Sequence, residues 1–433
     1  MTSPSLRDSY AGAFDPALSP GAFSRAALAV LGREYLLIGH LVDRVGLPLV
    51  MQKFGEEAQV RFSIEEWMGA SPIYSKRMQR ALGFEGSDVG TVFKNLQLDI
   101  GAPPQFMDFQ FRLDSPEYGE FWLCHCGALL DVEPFGEHRV KLMCHDIEDP
   151  TFDATAAATH PCMKMRPIHR PPRVPAGRYP HCRWRVFIDG EGTPYEQHPN
   201  LAIVAKSKLA NLPIDVPADD AEPGGWRDYS GAFDPGFQLE DLSHRALVTV
   251  AREVPIQTHL LVRAYLLCVA QLFGDDAALE LGRRQLTGMA ALASHRIRRA
   301  FGIAGDDASA VAKAFQLNPC FAPASYVDLR VEVADARRAR IAFGDAPAFA
   351  EGDAHSWFAG IGGEPHPALD AAAAAVSPRA RCHPATPRAG ERLAFDVVID
   401  PAVEPLADPP ELRLARVSRG AEFELEVRRA VRA

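Results

Sequence analysis

The sequence predicts an α+β protein built as two homologous domains, each a helical N-terminal part followed by a small, mainly antiparallel sheet. Three observations carry this. The segment RDSYAGAFDP at 7–16 returns as RDYSGAFDP at 227–235, and from Gly12 to Leu98 the second copy runs 219 residues behind without a gap, about a third of the positions being identical. The front of each copy carries apolar residues at three- and four-residue spacing, the period of a helix. Beyond Pro104 the rhythm changes to alternation, the period of a half-buried strand.

Taken in order, helices are expected over 23–45 and 48–62, with a continuation over 74–82. Ser24 and Ser75 suit helix starts, and Gly83 and Gly302 suit helix ends. Strands are expected over 106–113, 121–132, 139–144 and 183–188, and a short helix over 150–159. The copies drift in register past Leu98 and then recover: Asp153 answers Asp370, Pro161 answers Pro378, and RVFID at 185–189 answers DVVID at 396–400. The stretch 191–225 is rich in Pro, Gly and Asp and reads as a linker with a short helix within 201–212. The expected organisation is a first repeat over 1–190, a linker over 191–225 and a second, degenerate repeat over 226–433, packed as an intramolecular pseudo-dimer.

The chain has 433 residues, 47% apolar and 24% charged, which suits a globular protein and excludes a disordered one. Its net charge of −10 argues against a nucleic-acid partner, since neutralising phosphates takes clustered Lys and Arg. No uninterrupted apolar run approaches the roughly 18–20 residues that span a bilayer, so no membrane partner is expected. Positions 1–15 show neither a basic flank nor an apolar signal core, and the expected location is cytoplasmic.

Five of the eight cysteines fall in one stretch of the first copy, interleaved with histidines: Cys124, His125, Cys126, Cys144, His145, His160, Cys162, His181 and Cys182. Thiolate and imidazole either bind zinc-like ions or form an activated nucleophile. On a regular strand Cys124 and Cys126 share one face and His125 takes the other. No zinc-ribbon spacing, HExxH, GxSxG, P-loop or GxGxxG is present. The second copy lacks the whole constellation, as expected of a site lost from a degenerate scaffold. Core packing is the competing reading, because free Cys is among the most buried residue types. Glu34/Glu253, His40/His259 and Arg44/Arg263 are shared by both copies and read as a helix–helix polar contact. Trp67 and Trp122 have no counterpart and read first as core aromatics, although Trp122 could line a pocket beside Cys124. The run 166–180 reads as an extended strap in which Arg166, Arg170 and Arg173 could hold a carboxylate.

The order of features in the first copy resembles the L-2-amino-thiazoline-4-carboxylic acid hydrolase-like family: a helical front, Cys144, a short helix with Asp153, His160-Pro161, the Gly177 turn, and Cys182 before a closing strand. The resemblance covers roughly 20–190 and, in eroded form, 240–400. It departs in reading Cys-His-Cys where Cys-Pro is usual and His160 where Asn is usual. It implies hydrolysis of a C–N bond in a small amidine or thiazoline-type substrate. Catalysis would fall to Cys144, Cys182, Cys126 and His145, a thiolate attacking the ring carbon while His145 or His125 takes its proton. Arg166, Arg170, Trp122 and Asp153 would bind substrate. If a cofactor is present, a divalent transition metal such as zinc is expected on Cys124, Cys126, Cys144, His145, Cys162 and Cys182, activating water. The alternative is a metal- or small-ligand-binding protein without turnover.

Overall fold

A computed structural model describes residues 6–426; the ends of the two expected repeats, 1–5 and 427–433, lie outside the described residues. The chain is α+β with two sheet-bearing halves, as the sequence predicts. The first half runs α1 (Arg25–His40), α2 (Asp43–Phe54), α3 (Glu56–Ala81), α4 (Val89–Leu96), β1 (Met107–Ser115), β2 (Tyr118–Cys126), α5 (Gly127–Val132), α6 (Glu137–Lys141), α7 (Glu148–Ala157), β3 (Met163–His169), β4 (Cys182–Ile188) and α8 (Pro199–Val204). The second runs α9 (His244–Phe273), α10 (Asp275–Ala300), α11 (Ala308–Leu317), α12 (Ala324–Val327), β5 (Leu329–Asp335), β6 (Arg338–Phe343), α13 (Pro367–Ala374), β7 (Ala380–Ala385), β8 (Leu393–Ile399) and α14 (Pro410–Ala415). Each sheet has four antiparallel strands, in the orders β1-β2-β4-β3 and β5-β6-β8-β7.

Ser24 caps α1 by accepting from the Ala27 amide, but Ser75 is buried inside α3 and starts nothing. The alternation at 139–144 does not make a strand. Glu137–Lys141 is helical and runs into a π-helical turn at Leu142–Ile147 that carries Cys144; its buried positions, Val140 and Cys144, are four residues apart, the spacing of one helix face. The strand expected over 121–132 likewise stops at Cys126, whose sulfur accepts from the Leu129 amide and caps α5. The start of the expected strap, 166–169, instead belongs to the edge strand β3.

The halves share a single hydrophobic core. α9 is long and apolar enough to cross a membrane by composition, yet it is largely buried here at the centre of the fold. The polar residues shared by both copies explain how the halves join. Arg77 of α3 makes a two-pronged ion pair with Glu253 of α9 at 2.9 and 3.0 Å, and the repeat-related Arg296 of α10 pairs with Glu34 of α1 at 2.7 and 3.0 Å. Tyr10 donates to Gln316 at 2.7 Å, and Tyr229 donates to Gln97 at 2.8 Å. These are one set of contacts made twice, reciprocally, between the halves, which requires both copies to keep the residues.

The linker is more than a connection. Arg77 also donates to the carbonyls of Ala210 and Leu212, just as Arg296 donates to those of Gly420, Ala421 and Phe423. The stretch from α8 to Leu212 is therefore the terminal element of the first repeat, the counterpart of α14 together with residues 416–423. Its Pro/Gly/Asp composition hides the apolar anchors Leu209 and Leu212, both buried.

Candidate functional site

The five cysteines do not share one centre. Asp108 and Phe109 pair with His125 and Leu123, so Cys124 is the extra residue of a β-bulge. The bulge turns Cys126 into the core and sends Cys124 outward to the Tyr179 hydroxyl. Cys162 is half-buried against the Gly192 carbonyl, 3.8 Å away, and His145 contacts the Pro171 carbonyl at 2.7 Å. Among the described residues no three His, Cys, Asp or Glu side chains are grouped to hold a metal ion. The expected zinc set of Cys124, Cys126, Cys144, His145, Cys162 and Cys182 is thus not gathered: the bulge removes Cys124, and the carbonyls of Gly192 and Pro171 engage Cys162 and His145 away from the other sulfurs.

Cys126, Cys144 and Cys182 do lie together, near enough to one another and to Glu148 to influence each other's ionisation. Burial, with Glu148 adding to it, pushes the Cys126 thiol up to about 12 and moves Cys144 and Cys182 well up as well. Such thiols stay protonated at neutral pH, the opposite of an activated nucleophile. With a thiol reagent on the native protein, Cys124 and Cys162 are expected to react and the six buried cysteines only after unfolding. Rapid native modification of Cys144 would contradict this packing.

The four expected substrate-binding residues are also engaged elsewhere. Asp153 accepts from the Met165 amide at 3.1 Å and pairs with Arg166 at 2.7 Å, while its repeat-mate Asp370 accepts from the Cys382 amide at 2.7 Å. This pair of aspartates pins a helix to an edge strand in both halves, a structural duty. Arg170 pairs with Asp149. Trp122 lies under Arg183, whose guanidinium is 5.6 Å from the ring centre.

What the first half does contain is a chamber of about 160 Å³ between the helical front and the sheet. Its wall includes His40, Asp43, Arg44, Asp99, Glu148 and Cys182, with Trp67, Tyr74 and Trp184 among the aromatics. The break between α1 and α2 at Leu41–Val42 builds one side, whereas the matching α9 runs straight through. His40 contacts the Ile100 carbonyl through Nδ1 at 3.1 Å and Arg44 through Nε2 at 3.3 Å. That arrangement suits a neutral imidazole donating from Nδ1 and accepting at Nε2. Burial, with the Arg44 charge, lowers the His40 pKa to about 3. Arg44 is held in turn by Asp131 at 3.2 Å, which also accepts from the Ser418 hydroxyl and the Arg419 amide.

The carboxyl groups dominate the chemistry. Asp43 accepts from the Trp67 indole at 3.1 Å, and burial raises its pKa to about 6 despite Arg44. Asp99 accepts from the Tyr74 hydroxyl at 3.1 Å and the Gly101 amide at 2.6 Å, and burial raises it to about 6. Glu148 is raised to about 8 by burial, against the pull of Arg170. Behind Asp43 lies Glu66, 1% exposed and raised well above the usual range by burial and by the Asp43 charge. Asp43 Oδ1 and Glu66 Oε1 have no hydrogen-bond partner. Two carboxyls so placed cannot readily ionise together, which leaves a proton between them at neutral pH.

The second half has no such set. At the gap-free offset, Asp43, Glu66, Trp67 and Tyr74 become Val262, Gln285, Leu286 and Ala293, and one residue beyond Leu98 Asp99 becomes Asn318. There, Tyr326, Trp357 and Phe358 close around His259, the mate of His40, with ring centres 5.3–5.8 Å away. The difference between copies was written in the sequence, but it lay in the helical front rather than in the cysteine-rich back.

No family model, curated protein or solved structure matches the chain.

Proposed function

We propose that the first half is a small-molecule hydrolase-like enzyme acting on a C–N bond of an amidine-type group, with buried carboxyls rather than thiols moving the protons. The observation that carries this reading is Asp43 in the chamber wall with the buried Glu66 behind it, replaced by Val262 and Gln285 in the other half. Carboxyl groups held at a protein's expense in apolar surroundings, with pKa values moved toward neutrality, are characteristic of acid–base sites.

The roles follow from the two values. Asp43, ionised above about 6, takes a proton from water as the water oxygen bonds to the amidinium carbon. Glu148, protonated below about 8, gives its proton to the departing nitrogen as the C–N bond breaks. Ammonia leaves and takes up the hydroxyl proton as the carbon becomes a carbonyl, so that amide and ammonium (or an alkylammonium) depart, and Asp43 returns its proton to Glu148 through solvent to restore both carboxyls. Asp99, fixed by Tyr74 and Gly101, keeps the chamber negative and so favours a cationic substrate.

Ammonia release from acetamidine tests this. Activity is expected to rise with a limb near pH 6 and fall with a limb near pH 8. Asp43→Asn should lower kcat/KM by about 100-fold or more, in the range general-base removal produces. Cys144→Ala should change it by only a few fold. Loss of activity in Cys144→Ala with retention in Asp43→Asn would return the chemistry to the thiols and overturn the reading.

A further inference from the structure

We infer that the substrate of this site is an amphiphile: a cationic amidine-type head carried on a hydrocarbon tail. The inference rests on the proposed carboxyl chemistry of the chamber and extends it to the space outside. A second cavity of about 360 Å³ shares Asp43, Arg44, Leu47, Ser63, Met143 and Ile147 with the chamber, so the two adjoin across these side chains. Its remaining wall is chiefly apolar, with Pro48, Met51, Val60, Val132, Leu142 and Leu414. At the rim, Phe135 and Val417 are 62% and 63% exposed, large apolar side chains left in water where the cavity opens. The two arginines in the wall are already spoken for, Arg44 by Asp131 and Arg139 by Glu56, so this outer space offers no free cation to hold a carboxylate or phosphate.

Charge therefore lies at the inner end and hydrocarbon at the outer end. A ligand that satisfies both places its cation near Asp43 and Asp99 and runs a chain of methylenes toward Phe135 and Val417. Leu414 and Val417 belong to the terminal segment of the second half, which explains what the second repeat contributes: it completes the wall that would receive the tail.

Isothermal titration of the full chain with acetamidine, butanamidine and hexanamidine tests the inference. Burying each added methylene should tighten binding about fourfold, hence about 250-fold over the four methylenes from the shortest to the longest. The double variant Phe135→Asn/Val417→Asn changes two exposed positions and should flatten the dependence on chain length. Equal affinity across the series, or a dependence untouched by the double variant, would overturn the tail. Tight binding of hexanamidine with equal binding of hexanol would keep the tail and refute the cationic head. Absence of binding by the whole series would refute both.

Discussion

Replacing Arg77 by methionine is expected to cost about 3–5 kcal/mol of unfolding free energy, because it strands Glu253 as an unpaired buried charge. Both partners are almost fully excluded from water, at 3% and 4% side-chain exposure. Arg77 also satisfies two carbonyls of the segment that ends the first repeat, so that segment loses its anchor as well. The repeat-related Arg296→Met should cost a similar amount through Glu34 and the carbonyls at 420–423. The double variant Arg77→Met/Glu253→Met should recover part of the loss, since removing both charges removes the desolvation penalty. Urea denaturation of the three variants beside wild type checks this. A loss below about 1 kcal/mol in Arg77→Met would mean that the pseudo-symmetric pairs do not hold the halves together.

The second large effect concerns the carboxyls and runs toward greater stability. In the double variant Asp43→Val/Glu66→Gln the first half takes the residues of the second. Both carboxyls have folded-state pKa values raised above their unfolded values. A raised carboxyl binds its proton more tightly in the folded state, so its contribution is fully present below the unfolded pKa near 4 and is lost as pH rises through the folded value. For Asp43 and Asp99 that loss falls between about pH 4 and 6, and for Glu148 it continues to about 8. The double variant should therefore gain on the order of 2 kcal/mol or more over wild type at pH 8, and little at pH 4. It should also lose acetamidine binding. Thermal unfolding at the two pH values reads the difference directly. Greater stability with lost binding is the trade expected where a site stores charge in the core.

How much of this was legible in the sequence differs between fold and site. The duplication announced the architecture, since a gap-free offset over the helical front cannot arise from composition. It also marked Glu34/Glu253 as meaningful, although the partners Arg77 and Arg296 come from α3 and α10 and only the fold brings them together. Alternation at 139–144 misled because apolar residues two apart also occur in a short helical stretch packed on more than one side. The cysteines are a reactive type in a dense cluster, yet the fold keeps only Cys126, Cys144 and Cys182 together: a β-bulge turns Cys124 outward, and Cys162 sits apart against the Gly192 carbonyl. Asp43, Glu66 and Asp99 were passed over for the opposite reason. They lie far apart in sequence, Asp43 and Glu66 in helices and Asp99 in the loop past α4, where acidic residues are ordinarily solvated. The signal that could have found them is the column-by-column comparison of the copies, in which Val262, Gln285 and Leu286 stand opposite Asp43, Glu66 and Trp67.

Un-ionised carboxyl groups inside the core of the first half at neutral pH are what the proposed chemistry requires above all. Infrared spectroscopy of the intact protein measures them through the carbonyl band of a protonated carboxylic acid. At pH 7 that band should be present in wild type, weaker in Glu66→Gln and weaker again in Glu66→Gln/Glu148→Gln. Spectra at pH 7 in which wild type shows no such band, or in which both variants retain it in full, would contradict this placement of the protons.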